Sequence, residues 1–431
     1  MTLICVLFIV FYFIIFGYTV EKISRGKIQF LIIYICTCLP IYITLQAQVF
    51  YIFQDENIIN VIKLSKDFIF IYSFIIFTFG NTSSLYSRRF KFSFVDKLIL
   101  LFTFLVTVYA LIPLGEADFL SKLIYAKNLY VISITYLIGR NVIIDKVFFN
   151  TIKKILKYLI LVISFFLCFE FILSTHFHSF IDFSNYNFVI NEIDPQGNYG
   201  LTWSFESQGS SPRYAAFFSD PLELSASLLL FTSLLIYNFW NNKKNMNYFL
   251  LFLVAIAFIL SFSRGAIVAC ILIILFGFLL NKQYKILILI FTTFFFSTLS
   301  LIYFGSEEVR YLVIDTLKFE NTSSLGHLVE WIEGILSIFE NPLGIGLAMS
   351  GNASGVDQAI KIGGENQFLI FGVQMGVLSV IIYVLILFFI IKRSYRVYIK
   401  SSNFVKQISF IVCCTKFGLL LPLLTANAEL Y

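Results

Sequence analysis

Apolar residues run along most of this chain in blocks about as long as the hydrocarbon core of a bilayer is thick, and short polar clusters separate the blocks. A helix of roughly 20 apolar residues crosses that core. The pattern therefore predicts an all-α, multi-pass integral membrane protein with a single polytopic domain over 1–431. We expect twelve spans, at 2–20, 30–53, 68–84, 98–114, 119–139, 158–174, 215–239, 247–262, 265–280, 286–304, 367–391 and 407–426.

The positive charges between these blocks are unevenly distributed. When the connections are assigned alternately to the two sides, one side receives 21 Lys and Arg residues and the other receives nine. Cytoplasmic loops carry the excess in membrane proteins, so the richer side is predicted to be cytoplasmic and both termini to face outward. The net charge of +6 then faces anionic lipid, because no basic run is interleaved with aromatic residues as on a nucleic-acid-binding surface.

Two connections on the predicted outer side are long enough to form a site, 175–213 and 305–366. The first mixes amides, carboxylates and aromatic rings, a composition that suits either a sugar ligand or an ordinary loop. We therefore expect function on the outer face. The candidate residues of the first loop are Asn185, Asn187, Asn191, Asp194, Asn198, Trp203 and Glu206.

An amphipathic helix is predicted within the second long loop, near 324–340. Its apolar residues recur at helical spacing, and Glu330 falls on the opposite side. Ser323 or Ser324 can cap its start, and Trp331 is placed to anchor it at the headgroup level. We expect this helix to cover a site from the membrane surface. The apolar positions are Leu325, Leu328, Val329, Ile332, Ile335, Leu336 and Phe339.

Two outer arginines are candidates for phosphate binding. Arg264 stands between two spans with almost no polar connection, and Arg213 precedes another span. Guanidinium groups are always charged and match the geometry of phosphate, so the two together suit a diphosphate. Alternatively, Arg264 simply reaches up to lipid headgroups. Asp220 and Trp331 are candidates for binding or orienting a glycan.

Glu365 is the preferred general base. It follows Gly363 and Gly364, which allow a close backbone approach, and apolar residues follow it, so partial desolvation is expected to raise its pKa. Simple helix capping also explains an acidic residue at this place. Asn366 would orient the carboxylate or bind the acceptor sugar. His327, at the polar edge of the amphipathic helix, is a second catalytic candidate, with a solvated surface histidine as the alternative.

Metal and redox chemistry receive little support. His176 and His178 form a pair at the end of a span, but two ligands do not make a metal site. All seven cysteines lie within or at the edges of spans, without an extracytoplasmic disulfide framework. No cofactor is expected. Glu170 and Lys416 lie inside spans, where Glu170 can extend to the interface and Lys416 can reach a lipid phosphate.

Several short motifs, in their order and placement, resemble the O-antigen polymerase and O-antigen ligase superfamily. Arg213 to Pro221 is similar to the arginine-containing start of a span in those proteins, and the resemblance covers about 200–391. The other motifs are Ser263-Arg264-Gly265-Ala266, then Trp331 with Asn341-Pro342-Leu343-Gly344-Ile345-Gly346, then Glu365-Asn366-Gln367-Phe368-Leu369 followed by Gly372 and Gly376.

This resemblance implies a metal-independent, inverting glycosyltransferase of the GT-C type in the bacterial cytoplasmic (inner) membrane. It would act at the periplasmic face on undecaprenyl-diphosphate-linked oligosaccharide. Arg213 and Arg264 would hold the diphosphate leaving group, which cations stabilise as charge develops. A base in the outer loop would deprotonate the acceptor hydroxyl. A polysaccharide chain-length regulator is the expected protein partner.

Two departures from the family pattern bear on the activity. Ligases carry a histidine where Glu365 stands, which favours an O-antigen polymerase and leaves the identity of the base open. An arginine is common where His327 stands, so a phosphate contact there would depend on protonation. One alternative is a ligase that transfers glycan to the lipid A core. Another is a flippase or transporter of lipid-linked oligosaccharide. That class predicts cationic residues inside several spans and duplicated halves, whereas this sequence has few intramembrane charges and no duplication.

Overall fold

The computed structural model of the protein describes residues 2–79, 92–207, 211–241, 245–304, 322–351 and 362–425. Within these ranges the regular structure is helical, apart from two isolated β-bridges that join Gln196 to Leu201 and Glu206 to Pro212. The expected all-α membrane protein is therefore confirmed.

Seven helical stretches in the described ranges are long and apolar enough to cross a membrane. Shorter apolar helices accompany them, and two other long helices, Glu56–Phe79 and Phe119–Asn141, each carry several charged residues. Every predicted span overlaps a helix, but the count of twelve crossings stays a prediction. The seven stretches are Thr2–Ser24, Ile28–Phe53, Phe94–Leu111, Lys146–Leu173, Pro221–Asn241, Gln367–Lys400 and Asn403–Thr425.

The chain forms two compact units, one of Met1–Lys97 with Tyr130–Ile267 and the other of Leu98–Leu129 with Val268–Tyr431. Three helices run across the division along the chain, namely α5 Phe94–Leu111, α6 Phe119–Asn141 and α12 Arg264–Leu280. The helices of the first unit are α1 Thr2–Ser24, α2 Leu31–Thr37, α3 Tyr42–Phe53, α4 Glu56–Phe79, α7 Lys146–Leu173, α8 Phe177–Phe180, α9 Phe183–Asn191, α10 Pro221–Asn241 and α11 Asn245–Ser261. Those of the second are α13 Tyr284–Phe304, α14 Thr322–Glu340, α15 Gln367–Lys400, α16 Asn403–Leu419 and α17 Pro422–Thr425.

Buried hydroxyl groups join the helices of the first unit. The Tyr12 hydroxyl of α1 is hydrogen-bonded to Tyr34 of α2 at 2.9 Å and to Ser65 of α4 at 2.7 Å. Such groups need partners because an apolar surrounding offers no water. In the same unit, α11 packs against both α10 and α7. This packing fixes the start of α10, which follows Arg213 in the chain, and the end of α11, which precedes Arg264.

In the second unit, α15 is broken at Gly376. This glycine has φ 77° and ψ 177° inside an otherwise helical stretch. Phe371 and Tyr383 have ring centroids 4.9 Å apart, although twelve residues of straight helix would separate them by about 18 Å. The short arm Gln367–Met375 therefore folds toward the long arm that begins at Val377. The predicted span over 367–391 overlaps the candidate span Gln367–Lys400, but its break at Gly376 was not predicted, because hydropathy does not register a backbone break.

The segment after α14 packs its backbone onto this break. The amide of Ile345 donates to the carbonyl of Val373 at 2.8 Å, and the amide of Val377 donates to the carbonyl of Pro342 at 3.1 Å. A Cβ on Gly344 would lie 2.5 Å from the Gln374 carbonyl oxygen. The motif that the sequence marks at 341–346 is thus a structural clamp on the broken helix.

Candidate functional site

Arg213 and Arg264 lie within electrostatic range of each other in the first unit. The amide of Tyr214 donates to the carbonyl of Leu260 at 3.0 Å, which holds the loop after Arg213 against the end of α11. Arg264 then begins α12 three residues after α11 ends. The fold thus brings the two arginines near each other, and their joint role in binding a diphosphate stays a prediction.

The electrostatics of the arginine pair favour an anionic ligand. Burial, and then the charge of Arg264, lower the pKa of the Arg213 guanidinium from its ordinary value, although an arginine stays charged at neutral pH. The Nε atom of Arg213 is buried without a hydrogen-bond partner. No ion pair involves either arginine in the part of the chain that the structure describes. Arg264 also stands at a helix N-terminus, where backbone amides attract anions.

Glu170 supports the loop that carries Arg213. Its carboxylate is fully buried and accepts the amides of Phe177 at 2.8 Å and of Ala216 at 2.9 Å. The expectation that Glu170 extends to the interface is therefore wrong, because its oxygens are committed to backbone donors. The irregular segment from Arg213 also shifts the start of α10 to Pro221, so the span predicted to begin at 215 begins later.

Asp220 caps α10 rather than pointing at an open space. Its Oδ1 accepts the amides of Leu222 at 2.7 Å and Glu223 at 2.8 Å, as an N-cap residue does. Its role in binding or orienting a glycan, as predicted from the sequence, remains untested.

The first outer loop uses much of its polar chemistry internally. The two carboxylate oxygens of Glu206 accept the amide and the side-chain Nδ2 of Asn198, both at 2.9 Å. Asn191 donates to the Oδ1 of Asn187 at 3.0 Å. Trp203, in contrast, is 66% exposed. Of the sugar-binding candidates, the exposed tryptophan ring is thus the best presented.

His176 and His178 lie in the aromatic core of that loop. Both are fully buried, and the Nε2 of His178 is 2.7 Å from the Phe218 carbonyl. Burial lowers the pKa of His176 to about 4 and that of His178 to about 3. No cluster of three or more His, Cys, Asp or Glu residues suited to a metal occurs among the described residues. The pair therefore acts as neutral packing.

The second unit brings His327 and Glu365 into electrostatic contact. The Nδ1 of His327 is 3.6 Å from the Oε2 of Glu330, one turn further along α14. The interaction with Glu330, partly opposed by burial, raises the pKa of His327, and the charge of Glu365 raises it further. The sequence predicts His327 and Glu365 as catalytic residues, and the fold places them in one cluster. Glu330 is a member that the sequence did not indicate.

Glycines let α14 approach the turn that holds Glu365. A Cβ on Gly334 would lie 2.9 Å from the Cα of Gly363. A Cβ on Gly364 would lie 2.1 Å from the Oε2 of Glu330. The Glu330 carboxylate therefore lies directly against Gly364, next to Glu365. A polar residue on the polar side of an amphipathic helix normally faces water, so this contact could not be predicted from the sequence.

Asn366 is the N-cap of α15. Its Oδ1 accepts the amides of Phe368 at 3.0 Å and Leu369 at 3.3 Å. The N-cap is thus Asn366 and not Glu365, whereas a favourable interaction of Glu365 with the helix dipole stays a prediction. The next residue, Gln367, is fully buried, and both polar atoms of its side chain lack a hydrogen-bond partner.

The amphipathic helix is present as α14 and begins at Thr322. The side chains of the predicted caps, Ser323 and Ser324, lie outside the described side chains. Trp331 is half-buried with its Nε1 enclosed and unpartnered, so its anchoring role stays a prediction. All seven predicted apolar positions are exposed, at 41–79%. The helix thus turns its polar edge toward the protein and its apolar side outward, as a helix in contact with lipid does.

Comparison with known families gives a match over part of the chain. The helical fold makes the chain a multi-pass membrane protein. Residues 249–384 match the family model described as O-Antigen ligase, a range that includes Arg264, His327 and Glu365. This part of the chain is therefore similar to the domain that O-antigen polymerases and ligases share. Enzymes of this family act on lipid-linked glycans. No curated protein matches the chain.

Proposed function

We propose that the protein is a polymerase of O-antigen or a related surface polysaccharide. It joins undecaprenyl-diphosphate-linked repeat units at the outer face of the cytoplasmic membrane and releases undecaprenyl diphosphate. The observation that carries this proposal is the arginine pair, because two mutually repelling cations without an acidic partner among the described residues suit a diphosphate.

The reaction needs a leaving group and a base. Arg213 and Arg264 bind the donor diphosphate and stabilise the charge that develops as the glycosidic bond breaks. Glu365 removes the proton from the acceptor hydroxyl, which attacks the anomeric carbon from the opposite side and inverts its configuration. No bound metal is required when arginines balance the diphosphate charge.

His327 is better suited to act as a cation than as a base. Its raised pKa favours the protonated ring, which can contact a phosphate or an ionised sugar substituent. Glu365 then remains the base. Trp203 and Trp331 are the ring surfaces assigned to the glycan, with Asn366 and Asp220 setting the backbone around the reacting groups.

The placement of Glu365 where ligases carry histidine favours polymerisation. Ligation of finished glycan to the lipid A core is the second candidate, because the matched domain occurs in both kinds of enzyme. The proposal includes twelve spans with both termini outward, a periplasmic active site and a chain-length regulator as the partner.

Deletion of the gene in its host, followed by gel analysis of lipopolysaccharide, tests the function. A polymerase predicts loss of the ladder with a core-plus-one-unit band retained. Complete loss of O-antigen from the core with accumulation of lipid-linked polymer would instead establish a ligase. Failure of lipid-linked units to reach the outer leaflet would establish a flippase.

Complementation with point variants tests the residues. Glu365→Gln should abolish chain extension at normal membrane abundance, since the change removes the charge and keeps the shape. Glu340→Gln is the matched control, because Glu340 is an exposed acid at the end of α14 and its removal should leave the ladder intact. A normal ladder from Glu365→Gln would exclude this residue as the base.

A further inference from the structure

An apolar cavity of about 760 Å³ lies in the second unit, between the end of α12, the long arm of α15 and α16. Phenylalanine, leucine, isoleucine and valine side chains supply most of its lining, and the exposed rings of Tyr284, Phe388 and Tyr395 border it. Its volume falls within the range of small-molecule and lipid-chain sites. An open, apolar cavity on a membrane protein is suited to a hydrocarbon chain.

Charge is confined to two of the lining residues, Lys282 and Lys392. Lys282 lies in the turn between α12 and α13, and Lys392 lies on α15 with its Nζ 5.3 Å from the centre of the Phe388 ring. Neither lysine forms an ion pair with a carboxylate in the described ranges. Two such ammonium groups beside an apolar cavity suit a ligand in which an anionic group is attached to an apolar chain.

Both lysines belong to the same end of the cavity. The Tyr398 hydroxyl donates to the Oδ1 of Asn281 at 2.9 Å, which ties the turn that holds Lys282 to the part of α15 just beyond Lys392. These two segments, 281–285 and 392–406, also belong to the lysine- and arginine-rich set of connections. Basic pockets between helices on the cytoplasmic side bind anionic lipid headgroups.

We propose that this cavity binds one anionic glycerophospholipid. Its phosphate lies between Lys282 and Lys392, and one acyl chain lies among the apolar lining residues. A lipid-linked glycan is a less suitable occupant than a glycerophospholipid. Under the topology proposed above, Lys282 and Lys392 are cytoplasmic, whereas the diphosphate of a lipid-linked glycan belongs at the outer face.

Lipid retention by the intact protein tests this site. The full chain is reconstituted in nanodiscs that contain equal amounts of phosphatidylglycerol and phosphatidylcholine, released into detergent, and analysed by native mass spectrometry. We expect one retained phosphatidylglycerol per chain. The double variant Lys282→Gln with Lys392→Gln should bind it about 25-fold more weakly, since each cation contributes roughly fivefold.

A matched double variant, Lys285→Gln with Lys400→Gln, removes the same charge from the same two segments without touching the cavity lining. It should retain phosphatidylglycerol as the wild type does. Val384→Trp, which fills an exposed part of the cavity, should also reduce retention. Equal retention of both lipids by the wild type, equal losses in the two lysine variants, or displacement of phosphatidylglycerol by undecaprenyl phosphate would each overturn the proposal. Because the measurement is binding rather than glycan synthesis, its outcome is independent of the proposed enzymatic activity.

Discussion

Replacing Gly376 with alanine should destabilise the protein, because the break in α15 depends on the absence of a side chain. With φ 77° and ψ 177°, Gly376 occupies a backbone region that is essentially restricted to glycine, and another residue there costs about 1 to 3 kcal/mol. An added Cβ would also lie 2.3 Å from the Pro342 carbonyl oxygen and 2.8 Å from Leu343 backbone atoms. Backbone atoms cannot move aside as the end of a flexible side chain can.

Relief of this overlap would separate the clamp from the break. The hydrogen bonds at risk are those from Ile345 to Val373, from Gly346 to Gln374 and from Val377 to Pro342, of 2.8, 3.1 and 3.1 Å. Each contributes about 1 kcal/mol. Strain together with the loss of one or two bonds gives a decrease of about 2 to 5 kcal/mol in the free energy of unfolding, a large fraction of the stability of a typical protein.

Thermal unfolding in detergent, followed by the loss of the monodisperse peak in gel filtration, measures this effect. Gly326→Ala is the matched control, because this glycine is helical and an added Cβ would meet nothing within 4 Å. The control should be neutral or stabilising by up to about 1 kcal/mol. If Gly376→Ala melts together with the control, α15 does not break at this residue and the explanation of the 341–346 motif fails.

Three other changes test ionisable residues. Arg264→Ala should reduce chain extension at least 100-fold. Arg264→Lys should recover part of it, because lysine keeps the positive charge but lacks the forked donors of the guanidinium group. Arg393→Ala, which changes an exposed arginine of α15, is the control in the ladder assay. Glu330→Gln should lower the pKa of His327, so the alkaline limb of the pH–activity profile should move to lower pH. An unchanged alkaline limb would show that the protonation of His327 does not affect the reaction. His176→Phe should flatten the acid sensitivity of stability: the pKa of buried His176 is lowered to about 4, so the unfolded chain binds the proton first and stability falls as pH drops below about 6.5. The difference in unfolding free energy between the variant and the wild type should therefore be about 2 kcal/mol more favourable to the variant at pH 5 than at pH 8. If the stability of the two proteins changes equally with pH, His176 is not the cause.

The helices themselves follow from the sequence because lipid forces every backbone group in a span to be satisfied within the segment. Apolar length therefore predicts where a helix forms. It does not predict a break such as that at Gly376, since the residues on both sides are equally apolar. The charged helices Glu56–Phe79 and Phe119–Asn141 show the second limit, because the number of crossings depends on where charges lie in a bilayer rather than on helix length.

The nearness of the two arginines was predictable, because a charged side chain next to a span is costly in lipid and lies at the interface or within the protein. The role of Glu170 was not predictable, because its partners are backbone amides of a loop whose path the sequence does not specify. Glu330 was missed for a related reason. The polar edge of an amphipathic helix is normally taken as its solvent side, whereas α14 exposes its apolar side and directs Glu330 against Gly364.

The charge balance around Glu365 separates the roles of the two catalytic candidates. His327 lies near two acids, and a protonated ring neutralises only one of them. Glu330, at 3.6 Å and on the same helix, is the direct partner, so the pair carries no net charge and Glu365 supplies the remaining negative charge. Asn366, and not Glu365, is the N-cap of α15. In the proposed mechanism, a carboxylate close to a cation and carried by a short arm of nine residues before Gly376 is a better candidate for the general base than the histidine beside it.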